Sequence, residues 1–106
     1  MKGYIGEFEE LVLLTVALLG DNAYGVTIKE CIEDRAGREI SIGALHSTIT
    51  RLDEKGFLKS SMGGATQERG GRRKRYFEVT RSGRLAMEHI KQLRDGYWKE
   101  LKLKPA

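Results

Sequence analysis

The sequence predicts an α+β fold that is mainly α, and three observations carry that expectation. Three segments in the first half repeat apolar residues at helical spacing between recognisable start and stop signals. Two short runs rich in aromatic and β-branched residues, Phe57 to Ser61 and Tyr76 to Thr80, flank a polar, glycine-rich stretch as the arms of a hairpin would. A last segment, Arg81 to about Leu103, carries one long amphipathic stripe.

The first helix is expected over Glu7 to Leu19, with Glu7, Glu9 and Glu10 at the end where the helix dipole favours negative charge and Gly20 at the stop. Leu11, Leu14 and Leu18, with Val12, Thr15 and Leu19, are expected to form its broad buried face. Asp21-Asn22 breaks the chain, and Tyr24 to Ala36 suits a second helix closed by Gly37 in a left-handed cap. Val26, Ile28 and Ile32 are expected to face the core and Cys31 to share that packing, while Lys29, Glu30, Glu33 and Asp34 stay solvated. Glu39-Ile40 is expected as a very short strand, a third member of the small sheet.

Ser41 stands where a hydroxyl would cap a third helix, Ile42 to Lys55, which Gly56 stops. Leu45, Ile49 and Leu52 recur at spacings of four and three and define its buried stripe. Gly43, Ser47 and Thr50 fall on the opposite face, flanked by Ala44, His46 and Arg51. That face is small and polar, without the heavy charge of an ordinary solvated helix. Small side chains let a helix approach base edges, and Ser, Thr, His and Arg offer hydrogen bonds there.

Within the hairpin, five cations fall in the seven residues from Arg69 to Arg75: Arg69, Arg72, Arg73, Lys74 and Arg75. Such a loop would track phosphates or enter a minor groove; the plainer alternative is a solvated loop whose charge aids solubility. The wider charge balance is lopsided. Residues 1–58 carry 6 Lys/Arg against 10 Asp/Glu, and residues 59–106 carry 13 against 5. A net −4 followed by a net +8 suggests a basic surface facing a polyanion, without choosing among DNA, RNA and anionic lipid.

At 106 residues the chain is sized for one compact domain. The single cysteine, Cys31, excludes an internal disulfide, and a reducing, cytoplasmic location is the simplest inference. The longest apolar run, Leu11 to Leu19, is too short to span a bilayer, so no membrane role is expected.

Read in order, Tyr24-Gly25, Ser41-Ile42-Gly43-Ala44-Leu45-His46, Arg51 to Leu58, Gly71 to Thr80 and Ser82-Gly83-Arg84 resemble the PadR-like transcriptional regulators over roughly residues 8–98. The resemblance implies a winged helix-turn-helix. Residues 1–80 would form the DNA-binding domain and residues 81–106 a C-terminal dimerisation helix, packed as one compact unit. Three positions depart from the family pattern: Ile42 and Ser47 stand where proline is common, and His46 where tyrosine is usual. No operator sequence is therefore carried over.

The last helix presents Ala86, Ile90, Leu93, Tyr97 and Leu101 along its apolar stripe. The stripe either folds back on its own core or, as the resemblance implies, pairs two subunits. A homodimer would set two recognition helices ~34 Å apart, one duplex turn, to suit a palindromic site on double-stranded DNA. The resemblance further implies a small aromatic or phenolic effector between subunits, with Trp98, Phe8 and Met87 lining its pocket; the plainer reading has Trp98 packing the dimer seam. Tyr24 is open between a hydroxyl contact to phosphate and simple ring packing.

His46, His89 and Cys31 lack metal-ligand spacing, and neither a catalytic triad, paired carboxylates nor a phosphate-cradling loop is evident. No cofactor, metal or enzymatic activity is expected. The expected function is a sequence-specific, DNA-binding transcriptional repressor, with Gly43, Ala44, His46, Ser47 and Thr50 toward the bases and Ser41, Tyr24, Arg51 and the basic hairpin on the backbone. The rival readings are a winged-helix protein-interaction module and an RNA binder using the hairpin alone.

Overall fold

The computed structural model describes residues 5–63 and 74–105. Among them the elements run α1 (Glu7–Leu19), α2 (Gly25–Ala36), α3 (Ile42–Glu54), β1 (Leu58–Met62), β2 (Arg75–Val79) and α4 (Arg81–Glu100), with a 3₁₀ turn at Gly20–Asn22. Local chemistry sets these boundaries. The Gly6 N–H donates to the Glu9 carboxylate at 2.8 Å and starts α1. The Tyr24 N–H donates to the Thr27 hydroxyl at 3.0 Å and starts α2. Gly37, with φ 68°, closes α2 in the left-handed conformation that only glycine adopts without strain. The Ser41 hydroxyl accepts from the Ala44 N–H at 3.0 Å and caps α3.

One apolar core joins α1, α2, α3 and the start of β1. Val12, Leu13, Val16, Ile28, Ile32, Leu45, Ile49, Leu52, Phe57 and Leu58 are all buried. The α3 stripe is the one its spacing predicts. The α1 face differs: Leu14 and Leu18 are 47% and 56% exposed, and Leu13 and Val16 take the inward positions. Residues 11–19 are apolar nearly all round the helix, so periodicity could not fix which side turns inward. Val26 also faces outward, because it lies on the far side of α2 from the buried pair Ile28 and Ile32. Cys31 is half-buried.

The sheet is antiparallel, β1 against β2, with Leu58 opposite Val79 and Met62 opposite Arg75. Glu39 and Ile40 do not form the expected third strand. The Ile40 N–H is taken by the Glu33 carboxylate at 3.0 Å, which leaves no ladder bond for it to make. The third partner is the segment before α2: Tyr24 bridges Tyr76, and the Phe77 N–H donates to the Ala23 carbonyl at 2.9 Å.

A compact joint sets the direction of α4. The Thr80 hydroxyl accepts from the Gly83 N–H at 3.0 Å and donates to the Gly56 carbonyl at 2.6 Å, so one side chain caps α4 and ties it to the end of α3. Gly83 is buried here, and a Cβ would lie 2.3 Å from the Phe57 carbonyl oxygen, so the close approach of α4 requires glycine. Beyond this joint Ala86, Met87 and Ile90 pack against the core, whereas Leu93, Tyr97, Trp98 and Leu101 are exposed. An Arg94 to Glu10 ion pair at 3.0 Å holds α4 alongside α1. The helix ends at Glu100, short of the expected Leu103, as Leu101 turns to extended backbone. No helix of the described residues is long and apolar enough to cross a membrane.

Candidate nucleic-acid interface

The two sides of α3 are chemically opposite. Leu45, Thr48, Ile49 and Leu52 are buried, while Gly43, Ala44, His46, Ser47 and Thr50 are exposed. Among the described residues nothing beyond the chain neighbours and the helix's own backbone lies within 4 Å of where a Gly43 Cβ would stand, so there is room beside the start of the helix. The helix is anchored along one side and bare along the other, the condition a groove-entering helix must meet. Ile42, in the first turn, is 50% exposed; the sequence reading placed it in the helix but gave it no role. An exposed aliphatic side chain beside these polar groups suits contact with a thymine methyl group.

The turn between α2 and α3 is pinned by Glu33. Its carboxylate accepts from the Ile40 N–H and from Lys29 Nζ, both at 3.0 Å. The Ile40 N–H, then Lys29, hold the Glu33 carboxyl below its ordinary pKa. A charged acceptor therefore fixes the entry to α3.

Arg51 leaves the same helix toward α1. Its Nε donates to Glu9 at 3.2 Å and its terminal nitrogen to the Thr48 hydroxyl at 3.1 Å, yet the side chain remains 52% exposed. The other Glu9 oxygen accepts from Lys55 Nζ at 2.8 Å. Burial pushes the Glu9 carboxyl up, but hydrogen bonds from Lys55, the Gly6 N–H and Arg51, together with the charge of Lys55, outweigh it and hold the group below its ordinary pKa. Glu9 is thus an ionised carboxylate at the core's edge, shared by Arg51 of α3, Lys55 just past its end and the Gly6 N–H that starts α1.

The hairpin docks on the start of α2. The Tyr24 and Tyr76 rings meet edge to face, 5.5 Å between centroids, and Lys74 Nζ stands 4.3 Å above the Tyr24 ring. The Tyr24 ring thus packs against the hairpin, a contact that involves its ring and not its hydroxyl. The Gly63 N–H donates to the Lys74 carbonyl at 2.7 Å just beyond the paired strands. Lys74 and Arg75 are exposed at this end. Arg69, Arg72 and Arg73 lie outside the described residues.

The residues considered for an effector stand in different surroundings. Met87 lines an open cleft of about 600 Å³ with Ala17, Val79, Thr80, Arg81, Arg84 and Glu88. Phe8 packs on the core beneath the Arg38 guanidinium, 5.4 Å from its ring centre. Trp98 is 67% exposed on the free half of α4. The apolar stripe of α4 divides likewise, with Ala86 and Ile90 half-buried against the core and Leu93, Tyr97 and Leu101 exposed. Among the described residues no group of three or more His, Cys, Asp or Glu is placed to hold a metal ion.

The fold recurs in solved structures. A PadR-like transcription factor from Bacteroides fragilis superposes with a TM-score of 0.74 at 20% identity, covering 87% of this chain and 84% of the other. A PadR-like regulator from Bacillus cereus gives 0.72 at 16% identity, covering 87% and 84%. A PadR family regulator from Clostridium difficile gives 0.68 at 20% identity, covering 87% and 92%. No curated protein is significantly similar in sequence. Residues 13–89, well over half of the sequence, match the transcriptional regulator PadR-like family, and the chain belongs to that family.

Proposed function

We propose that this transcriptional regulator acts as a cytoplasmic homodimeric repressor that reads a palindromic operator on double-stranded DNA. The observation that carries the proposal is the two-sided α3, buried through Leu45, Thr48, Ile49 and Leu52 and bare through Gly43, Ala44, His46, Ser47 and Thr50. In this reading the bare face discriminates bases in the major groove. Ser41, Tyr24, Arg51 and the cations Arg69, Arg72, Arg73, Lys74 and Arg75 hold the phosphates. Residues 1–80 supply DNA binding and residues 81–106 supply the dimer contact.

Support for the dimer comes from apolar surface left uncovered among the described residues. Leu14, Leu18 and Leu85 and the distal α4 residues Leu93, Tyr97, Trp98 and Leu101 are each at least 43% exposed. Apolar residues at this density on two helices call for a covering surface, and a second copy would present the same residues. A small aromatic effector seated in that seam, against Trp98, Phe8 and Met87, would respace the two α3 helices. It relieves repression only by binding the spaced-apart state more tightly than the DNA-bound one.

Binding to duplex DNA, RNA and a scrambled duplex, each titrated with salt, tests the function. The expected result is a duplex preference over RNA, a sequence preference over the scrambled duplex and a steep fall of affinity with salt. Equal affinity for RNA and DNA would favour the hairpin-only reading. Weak salt dependence with no nucleic-acid preference would favour a protein-docking module.

A further inference from the structure

We infer that Glu9 is a positioning residue for DNA recognition: from the first turn of α1 it fixes the Arg51 guanidinium as a preformed clamp for a backbone phosphate. The inference rests on the reading that α3 faces DNA. The Glu9 side chain is 7% exposed and that of Arg51 is 52% exposed, so one end of the pair is embedded and the other meets solvent. Arg51 is held from two sides, by Glu9 through Nε at 3.2 Å and by the Thr48 hydroxyl through a terminal nitrogen at 3.1 Å. Thr48 is itself buried, at 1% exposure. The inner edge of a rigid planar fork is therefore fastened to the domain, and its orientation no longer depends on a flexible stem.

A lone Arg–Glu pair would have little charge left to offer a phosphate. Here Lys55 shares the same carboxylate at 2.8 Å, so the Glu9 charge is divided between two cations instead of being spent on Arg51 alone. Arg51 also follows Ser47 by one helical turn and Thr50 by one residue, which brings the clamp beside the face assigned to base contact. A phosphate held there would set the depth and register of α3 in the groove. Fixing the guanidinium before binding removes part of the ordering cost that a free arginine would incur on the complex.

The test is a double-mutant cycle on the full chain, using operator DNA obtained by selection and conditions in which circular dichroism shows every variant folded. Glu9→Gln is expected to weaken operator binding by about 3- to 10-fold. Arg51→Ala is expected to weaken it more and to lower the salt slope by about 1. In the Arg51→Ala background, Glu9→Gln should bring no further loss, because the residue it positions is gone. Glu9→Asp, which keeps the charge but retracts it by one methylene, should follow the same pattern if Glu9→Gln folds poorly. Losses that multiply in the double variant would overturn the inference, since Glu9 would then act through general stability. An Arg51→Ala variant with unchanged affinity and slope would overturn it too, while leaving duplex binding by the wild-type chain, and so the functional reading, intact.

Discussion

Replacing Arg72, Arg73 and Arg75 by alanine is expected to weaken operator binding about 100-fold per subunit near physiological salt, with the fold retained. The size follows from counterion release. Each phosphate neutralised contributes about 0.9 to the slope of log affinity against log salt, so three arginines account for about 2.7 per subunit. Between molar and physiological salt that slope corresponds to roughly two powers of ten. The loss should fall nearly equally on specific and scrambled duplexes, because phosphate contacts carry no base information. Titrating both duplexes with salt separates the two contributions. A triple variant that retains specific operator affinity and slope would remove the hairpin from the interface.

A second large effect is expected from Leu93→Asp together with Tyr97→Asp on the exposed half of α4. Neither residue packs on the core formed by the described residues, so the fold should persist. In a dimer seam, by contrast, unpaired carboxylates lose their water, and dissociation should rise by at least about 100-fold, roughly 3 kcal/mol. Operator affinity should then fall by about 10²- to 10⁴-fold, because the second half-site is no longer held at high effective concentration. Sedimentation equilibrium together with operator binding reads both effects. A variant that stays dimeric would place the subunit contact elsewhere. Loss of dimer without loss of operator affinity would mean that one subunit suffices for recognition.

What could be read from the sequence was what depends on neighbours along the chain. Ser41, Gly37 and the Leu45, Ile49, Leu52 stripe are local signals, and they placed α2 and α3 within a residue of where they lie. The bare face of α3 followed from the same periodicity. Where the local signal was ambiguous, the reading failed. The stretch of α1 from Leu11 to Leu19, apolar nearly all round, gave no angle, so Leu14 and Leu18 were expected inward and instead face out. Glu39 and Ile40 had strand composition, but a side chain seven residues earlier captured the Ile40 N–H.

The least legible part of the site is Glu9. It was read only as an acidic residue suited to a helix N-terminus, and that holds through its bond to the Gly6 N–H. Its pairing with Arg51 and Lys55 spans 42 and 46 residues, and no spacing rule reaches that far. Thr48 was missed for a related reason. A buried hydroxyl in a polar helix announces itself only once the arginine one turn later folds back onto it. Tyr24 is a further case: the sequence framed ring packing as one of two roles, but its ring partners Tyr76 and Lys74 lie too far along the chain for any spacing rule to name.

The central claim is that the exposed face of α3 reads bases, and it is tested most directly by selecting binding sites from random duplexes with the wild-type chain and a His46→Ala/Ser47→Ala variant. Both side chains are exposed, so stability should change little. The account predicts that the wild-type chain selects two inverted half-sites about 10 base pairs apart. The variant should relax the preference at the same one or two positions of each half-site and keep the wild-type salt slope. Identical selected sequences from both proteins would contradict it, because sequence would then be read by some other part of the molecule.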